Sequence, residues 1–280
     1  MSEKTENPNA DETPSPAPKG SPAKSQFAAL NTVTVNDLLE IIALGLQDFR
    51  AAPAYGLFFA GIYVLGGWFL ILLLMYFELP YLVYPLAAGF ALIAPFIASG
   101  FYVVSYHLEK GRDKGGPELS WGLVLGTVKS MARRDLGWMA LVTGFSLFIW
   151  MDIAALLSFG FMGFQLFSFA ELINIVFTTP MGWLFLVVGN AAGALIAFGV
   201  FSYSVISMPM LFHRDIDFVT AMITSVRFVI QNPRVMAGWC ATIAALIAIS
   251  LLSGLIGLLV TLPVLGHATW HLYRRAVAKP

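Results

Sequence analysis

What most constrains this chain is its set of long runs without Lys, Arg, Asp or Glu. Tyr55 to Phe77, Leu82 to Tyr106 and Met181 to Met208 contain none, Leu136 to Ser158 contains only Asp152, and Val235 to Tyr273 stays uncharged for 39 residues. A bilayer's hydrocarbon core is about 30 Å thick and a helix rises about 1.5 Å per residue, so roughly 20 apolar residues make one crossing. Each of the first four runs fits one crossing, and the fifth is too long for a single straight one. Charged residues make up 11% of the chain, against about 25% in soluble domains, and the mean hydropathy is +0.78. That deficit excludes a cytosolic enzyme, a secreted disulfide scaffold and a wholly disordered chain. The sequence is that of an integral membrane protein.

Charge placement sets the expected topology. The 16 basic residues balance 16 acidic ones, which gives no reason to expect a nucleic-acid partner. All of the basic residues lie in Lys4 to Arg50, Lys110 to Arg134, Arg214 to Arg234 or Arg274 to Lys279. Cytoplasmic loops are the ones enriched in Lys and Arg, so these four segments share the cytoplasmic side of the inner membrane. The basic C-terminal tail rejoins that side only if 235 to 273 crosses twice, with a turn near Ser253, Gly254 and Gly257. Six crossings follow, with both termini cytoplasmic. By the same parity the Phe-rich stretch 159 to 180 does not cross. It is expected at the outer interface, amphipathic or re-entrant, with Gln165, Glu171 and Asn174 toward water or protein. Residues 1 to 33, with Pro8, Pro14, Pro16, Pro18 and Pro22 among polar residues, read as a disordered cytoplasmic tail. Residues 34 to 276 form the membrane domain, and 277 to 280 a short basic tail.

A weak internal repeat supports six crossings. Before each odd-numbered span lies an amphipathic helical pattern: Leu38, Leu39, Ile42, Leu46 and Phe49; then Trp121, Val124, Leu125 and Val128; then Val219, Met222, Ile223 and Val226. The apolar spacing is that of a helix with one apolar stripe, and Asp37, Lys129 and Arg227 mark the polar faces. The expected fold is an all-α polytopic membrane bundle of three units, each an interfacial helix followed by a transmembrane hairpin.

At the junctions of these units stand Leu46-Gln-Asp-Phe-Arg-Ala-Ala-Pro53, His107-Leu-Glu-Lys-Gly-Arg112, Pro209-Met-Leu-Phe-His-Arg-Asp-Ile-Asp-Phe218 and Asn232-Pro-Arg-Val-Met-Ala-Gly-Trp239. Through them the chain, from about 35 to 276, resembles a bacterial family of uncharacterised multi-span integral membrane proteins. Some members carry a cytochrome c oxidase subunit I label. The resemblance implies a fold and no activity. A haem-copper core needs more crossings and more histidine ligands than six spans and the 4 histidines here supply.

Few residues could carry chemistry. Asp152 is the only ionisable group well inside a predicted span, where a carboxylate costs about 2.5 to 3.5 kcal/mol on insertion scales. Asn190, at comparable depth on the next span, shares a face with Gly193, Ala194 and Ala197, small residues that let helices approach closely. Asp152 is therefore expected to turn inward and meet Asn190 as an intramembrane polar site. His107, His213 and His271 fall at the cytoplasmic ends of even-numbered spans, with His267 one turn before His271. They are candidate metal or haem ligands, and equally interfacial side chains beside Trp270 and Tyr273. His267 and His271 lack the Glu of a zinc-protease HExxH. The single cysteine, Cys240, offers neither a disulfide nor a metal pair. No phosphate-binding, nucleophile-elbow or calcium-loop motif is present.

These features point to a non-enzymatic inner-membrane protein without a cofactor, in a structural, assembly or lipid-interacting role. Its expected partners are the bilayer, anionic headgroups at the basic loops and a membrane protein complex. The alternatives are a small transporter or channel built on Asp152 and Asn190, and a haem- or metal-binding respiratory accessory protein.

Overall fold

The computed structural model describes residues 29–77, 83–114, 119–132, 135–163 and 169–277. Within them the chain is helical, and the β structure is one isolated antiparallel bridge between Leu30 and Val277. The helices are α1 (Val35–Ala51), α2 (Pro53–Phe77), α3 (Val83–Lys114), α4 (Trp121–Ala132), α5 (Asp135–Met162), α6 (Phe169–Thr178), α7 (Pro180–Ser204), α8 (Ser207–His213), α9 (Phe218–Gln231), α10 (Pro233–Leu252) and α11 (Leu258–Ala276). Among the described residues four segments are long and apolar enough to cross a membrane: Pro53–Leu73, Leu136–Met162, Pro180–His213 and Pro233–Leu252.

Two of the three expected junctions share one backbone form. Pro cannot donate to the preceding turn and fits the first helical position, so α1 breaks from α2 at Ala52-Pro53 and α9 from α10 at Asn232-Pro233. The two caps adopt nearly the same conformation, φ −139° and ψ 58° at Ala52 and φ −125° and ψ 48° at Asn232. The corresponding junction before α5, at 133–134, lies outside the described residues.

The long uncharged stretch is a helical hairpin. Residues 253–257 form the turn between α10 and α11, and Gly254 reverses the chain with φ +68°. Ser253 Oγ accepts from the Gly257 amide at 2.8 Å, and Trp68 of α2 donates its indole N–H to the Gly254 carbonyl at 2.8 Å. The stretch 159 to 180 contains α6, whose 10 residues rise only about 15 Å and cannot span a bilayer. Thr179 caps α7 by accepting from the Gly182 amide at 3.0 Å, and a Cβ added at Gly182 would collide with the Ile175 carbonyl oxygen, so α6 doubles back tightly onto α7. Glu171 and Asn174 are exposed. Gln165 falls outside the described residues.

Most of the expected N-terminal tail, residues 1–28, also lies outside them. Its proposed end at residue 33 is corrected by the structure, because residues 30–33 are docked. The Asn31 amide donates to the Ala276 carbonyl at 2.9 Å, and the amide of buried Val33 donates to Asn232 Oδ1 at 2.9 Å. This strap joins the start of α1 to the α9–α10 junction and the end of α11, and sets both ends of the described chain side by side. Of the basic C-terminal tail only Val277 is described.

Helix α11 is the hub of the bundle. Its longest packing is against α1, and it also contacts α2, α3, α8 and α10. Its inner face buries Leu265, His267, Ala268, Trp270, Leu272 and Tyr273, which explains why it is less apolar than the outer helices. In contrast, α7 buries only Gly182, while Leu195, Val187 and, on α5, Phe145 and Leu156 are strongly exposed. Polar groups inside and large apolar side chains outside suit a bundle surrounded by lipid.

The three amphipathic helices turn part of their apolar stripes outward. In α1 the buried line is Leu38, Ile41, Gly45 and Asp48, while Leu39 is 64% exposed. In α9 the small and polar Ala221, Thr224 and Ser225 face inward with Phe228, and Val219, Ile223 and Ile230 face outward. In α4 Val124 is buried, whereas Trp121 and Leu125 are exposed. Apolar side chains thus lie on the outside of all three helices, while the buried side is partly small and polar.

Candidate functional site

The histidines gather at the end of the bundle where the termini meet. Asp48, on the buried line of α1, is 0% exposed and lies 2.8 Å through Oδ2 from His271 Nε2 of α11. The Ser105 hydroxyl of α3 also hydrogen-bonds Asp48, and Ser105 Oγ lies 2.8 Å from His267 Nδ1. A carboxylate only accepts, so His271 donates from Nε2, Ser105 gives its proton to Asp48, and His267 donates from Nδ1 to Ser105. His267 is 0% exposed and its Nε2 has no hydrogen-bond partner among the described residues. The Phe101 ring packs edge-on against its imidazole, 5.6 Å away. Burial pushes the Asp48 carboxyl up, but the hydrogen bond and charge of His271, with the hydrogen bond from Ser105, outweigh it and hold the group below its usual range.

A second acid ties the same helix one turn further on. Glu109 of α3 accepts from Arg274 Nη2 at 2.7 Å and Nε at 3.0 Å and from the Trp270 indole at 3.1 Å. Burial raises the Glu109 carboxyl, and the Arg274 fork and charge together with Trp270 more than offset it, so its pKa is lowered. Asp37, which closes a capping box with Thr34, and Glu40 of α1 both pair with Arg275. Acids from α1 and α3 thus clamp the last two turns of α11, whose C-terminal dipole already favours Arg274 and Arg275.

Aromatic rings seal the cluster. Tyr106 packs edge-on against His107, Phe212, His213 and Trp270 at 5.2 to 5.8 Å, and His213 Nδ1 lies 2.9 Å from the Tyr273 hydroxyl. His107 is partly buried, with Nδ1 unpartnered among the described residues. His107 and His213 thus meet around Tyr106, whereas His271 pairs with Asp48. Among the described residues no three His, Cys, Asp or Glu side chains converge to hold a metal ion. Chemically the cluster is an interlocked set of donors and acceptors, with His107 Nδ1 and His267 Nε2 left over among the described residues.

Asp152 and Asn190 do not meet. Both are exposed, and the Asn190 amide donates to the Leu186 carbonyl of its own helix at 2.7 Å. The cavity of about 220 Å³ beside Asn190 is lined from α5 by Trp150, Ala154 and Leu157. These follow i, i+4, i+7 spacing, so Asp152, two residues and about 200° from Trp150, projects to the opposite side. The expected inward turn of Asp152 is corrected on this ground: depth in the membrane was read from the sequence, and angular phase was not.

Sequence reasoning missed Asp48, Ser105 and Glu109. The spacing of Leu38, Ile41, Gly45 and Asp48 carried a usable signal, since a carboxylate in phase with a buried Gly line needs a partner.

Fold and exposed surface together define a polytopic helical integral membrane protein. Residues 83–213 match the model of a family described as "Predicted integral membrane protein (DUF2189)". Over that segment the resemblance to an uncharacterised family of multi-span membrane proteins holds. No curated protein and no solved structure matches the chain.

Proposed function

We propose that this is a non-enzymatic protein of the inner membrane, crossing six times with both termini cytoplasmic. Its role is structural or assembly-related, with the three short amphipathic helices lying at the cytoplasmic interface against anionic headgroups. The observation that carries the reading is the outward direction of their apolar stripes: Val35 and Leu39 on α1, Trp121 and Leu125 on α4, and Val219, Ile223 and Ile230 on α9 are exposed. Arg50, Lys129 and Arg227 on the same helices are exposed beside them. Apolar and cationic side chains side by side suit the boundary between acyl chains and headgroups. The strap that pairs Leu30 with Val277 favours termini on one side. The transporter alternative needed Asp152 and Asn190 to converge, and their separation removes its support.

Two measurements test this. A cytoplasm-active reporter fused after Pro280 is expected to be bright, and a periplasm-active one silent; the reverse pattern ends the six-crossing topology. Lipid analysis of protein extracted in native-membrane discs is expected to show enrichment of anionic lipid. Each basic residue near a charged surface contributes about 1 kcal/mol, so Lys129→Gln with Arg227→Gln should cut that enrichment by roughly thirtyfold in partition terms. An unchanged lipid profile would rule out the headgroup role.

A further inference from the structure

Three of the segments long and apolar enough to cross a membrane enclose a cavity of about 640 Å³. Helix α5 lines it from Thr143 to Trp150, α10 from Cys240 to Ile247, and α7 from Gly193 to Ser204. The space follows from how the helices pack. Helix α7 touches both neighbours, whereas α5 and α10 share no extended contact among the described residues. Gly193, Ala197 and Ala244 are too short to fill the gap, and Ala197 and Ala244 are exposed, so the cavity opens sideways. Its volume falls within the range of about 300–1,000 Å³ usual for small-molecule sites.

The lining suits a guest that asks for no hydrogen bond. No charged residue lines the cavity. Thr143 Oγ1 gives its proton to the Met139 carbonyl at 2.8 Å, and Ser204 Oγ gives its proton to the Phe201 carbonyl at 3.5 Å. Ser146 Oγ gives its proton to the Val142 carbonyl at 2.9 Å, so the Tyr203 hydroxyl, 3.0 Å away, donates to it. These hydroxyls are satisfied without a ligand. Leu147, Ile196, Val200, Phe201, Ile243 and Ile247 supply most of the remaining surface.

The surroundings say where the guest comes from. Phe145 and Leu195, each next in the chain to a lining residue, are 65% and 75% exposed, so the cavity is continuous with the apolar exterior that faces lipid. A helix from a second copy or another protein needs a seat of small residues for close approach. On α7 that seat is taken, because a Cβ added at Gly193 would lie 3.1 Å from Trp150 Cη2. Trp150 also lines the separate cavity of about 220 Å³ beside Asn190, and its indole is the partition that closes the larger one. The hydroxyls of Thr143 and Ser204 lie toward the other end, where α5 begins and α7 stops.

We infer that this cavity holds one acyl chain of a membrane phospholipid. The chain enters past Ser204 and ends against Trp150, and it supplies the contact that α5 and α10 do not make with each other. An empty cavity would leave its lining without partner atoms on one side, so the lipid acts as a packing element of the bundle. The site depends neither on the anionic-headgroup reading of the interfacial helices nor on which side of the membrane is cytoplasmic.

Native mass spectrometry of the full-length protein in mild detergent is expected to show one phospholipid retained per chain after exchange steps that strip the rest. Ala244→Phe, a change at an exposed position of the lining, should lower that retention about tenfold, the worth of roughly a dozen lost carbon–carbon contacts. Leu195→Phe, on the exposed surface outside the cavity, should leave it unchanged. Cys240, the single cysteine of the chain, lines the cavity and reports its occupancy. N-ethylmaleimide should label delipidated protein severalfold faster than protein that keeps its lipid, and adding dipalmitoyl phosphatidylglycerol should restore the slow rate. If Ala244→Phe does not fold, the Cys240 rates decide alone. A retained isoprenoid in place of a phospholipid, a second copy of the chain with no lipid, no retained lipid, equal loss in Leu195→Phe, or a Cys240 rate indifferent to lipid overturns the proposal.

Discussion

Asp48→Leu is expected to destabilise the protein by about 2–6 kcal/mol, the cost of leaving two buried donors without an acceptor at about 1–3 kcal/mol each, and to loosen α1 from α11. Asp48 is fully buried and receives His271 at 2.8 Å and Ser105, so leucine strands two donors where water does not reach. Asp48→Asn keeps an acceptor oxygen and should cost only about 1–2 kcal/mol. The pH dependence has a definite sign. Because the folded-state pKa is lowered, the stability contributed by ionised Asp48 is fully present above the unfolded carboxyl value, about 3.9. It is lost as pH falls through the lower folded value. Thermal unfolding of the purified protein should therefore show a falling midpoint below about pH 4, with a shallower slope in Asp48→Asn. A leucine variant that melts with the wild type would show that α1 is held by packing alone.

The second large effect is at Gly45, where α1 and α11 touch backbone to backbone. A Cβ there would lie 2.6 Å from the Val264 carbonyl oxygen and 2.8 Å from the Ala268 nitrogen. Neither atom belongs to a side chain that can rotate away, so the helices must separate. Gly→Ala within a helix ordinarily gains up to about 1 kcal/mol in propensity. At Gly45 the overpacking penalty of about 1–3 kcal/mol, together with the strain on the Asp48 cluster one turn away, should reverse that sign. Gly61→Ala and Gly126→Ala, with nothing within 4 Å of the added atom, should be neutral or stabilising. If all three variants melt alike, the close approach of α1 to α11 does not limit stability.

These two positions share one line on α1, and their roles depend on each other. Gly45 lets the helix backbones approach, and that approach brings Asp48 within reach of His271 and Ser105. The cluster then commits His267 and His271, four residues apart on α11, to different partners. The four-residue spacing made them look like a ligand pair, whereas in the fold the first bonds α3 and the second bonds α1.

The sequence by itself determined the elements and their order. Uncharged runs of sufficient length, proline at helix starts and the glycine turn after Ser253 act locally, so α2, α5, α7 and the α10–α11 hairpin were legible. Tertiary structure alone decided which way each helix faces. In water an apolar stripe identifies the buried side, but lipid is as apolar as the interior of a bundle, and helices there associate through close packing and hydrogen bonds instead. Hydrophobicity therefore loses its power to tell inside from outside. For that reason Val219 and Ile223 point outward, Asp152 turns away from Asn190, and the buried side of α1 is the one bearing Gly45 and Asp48.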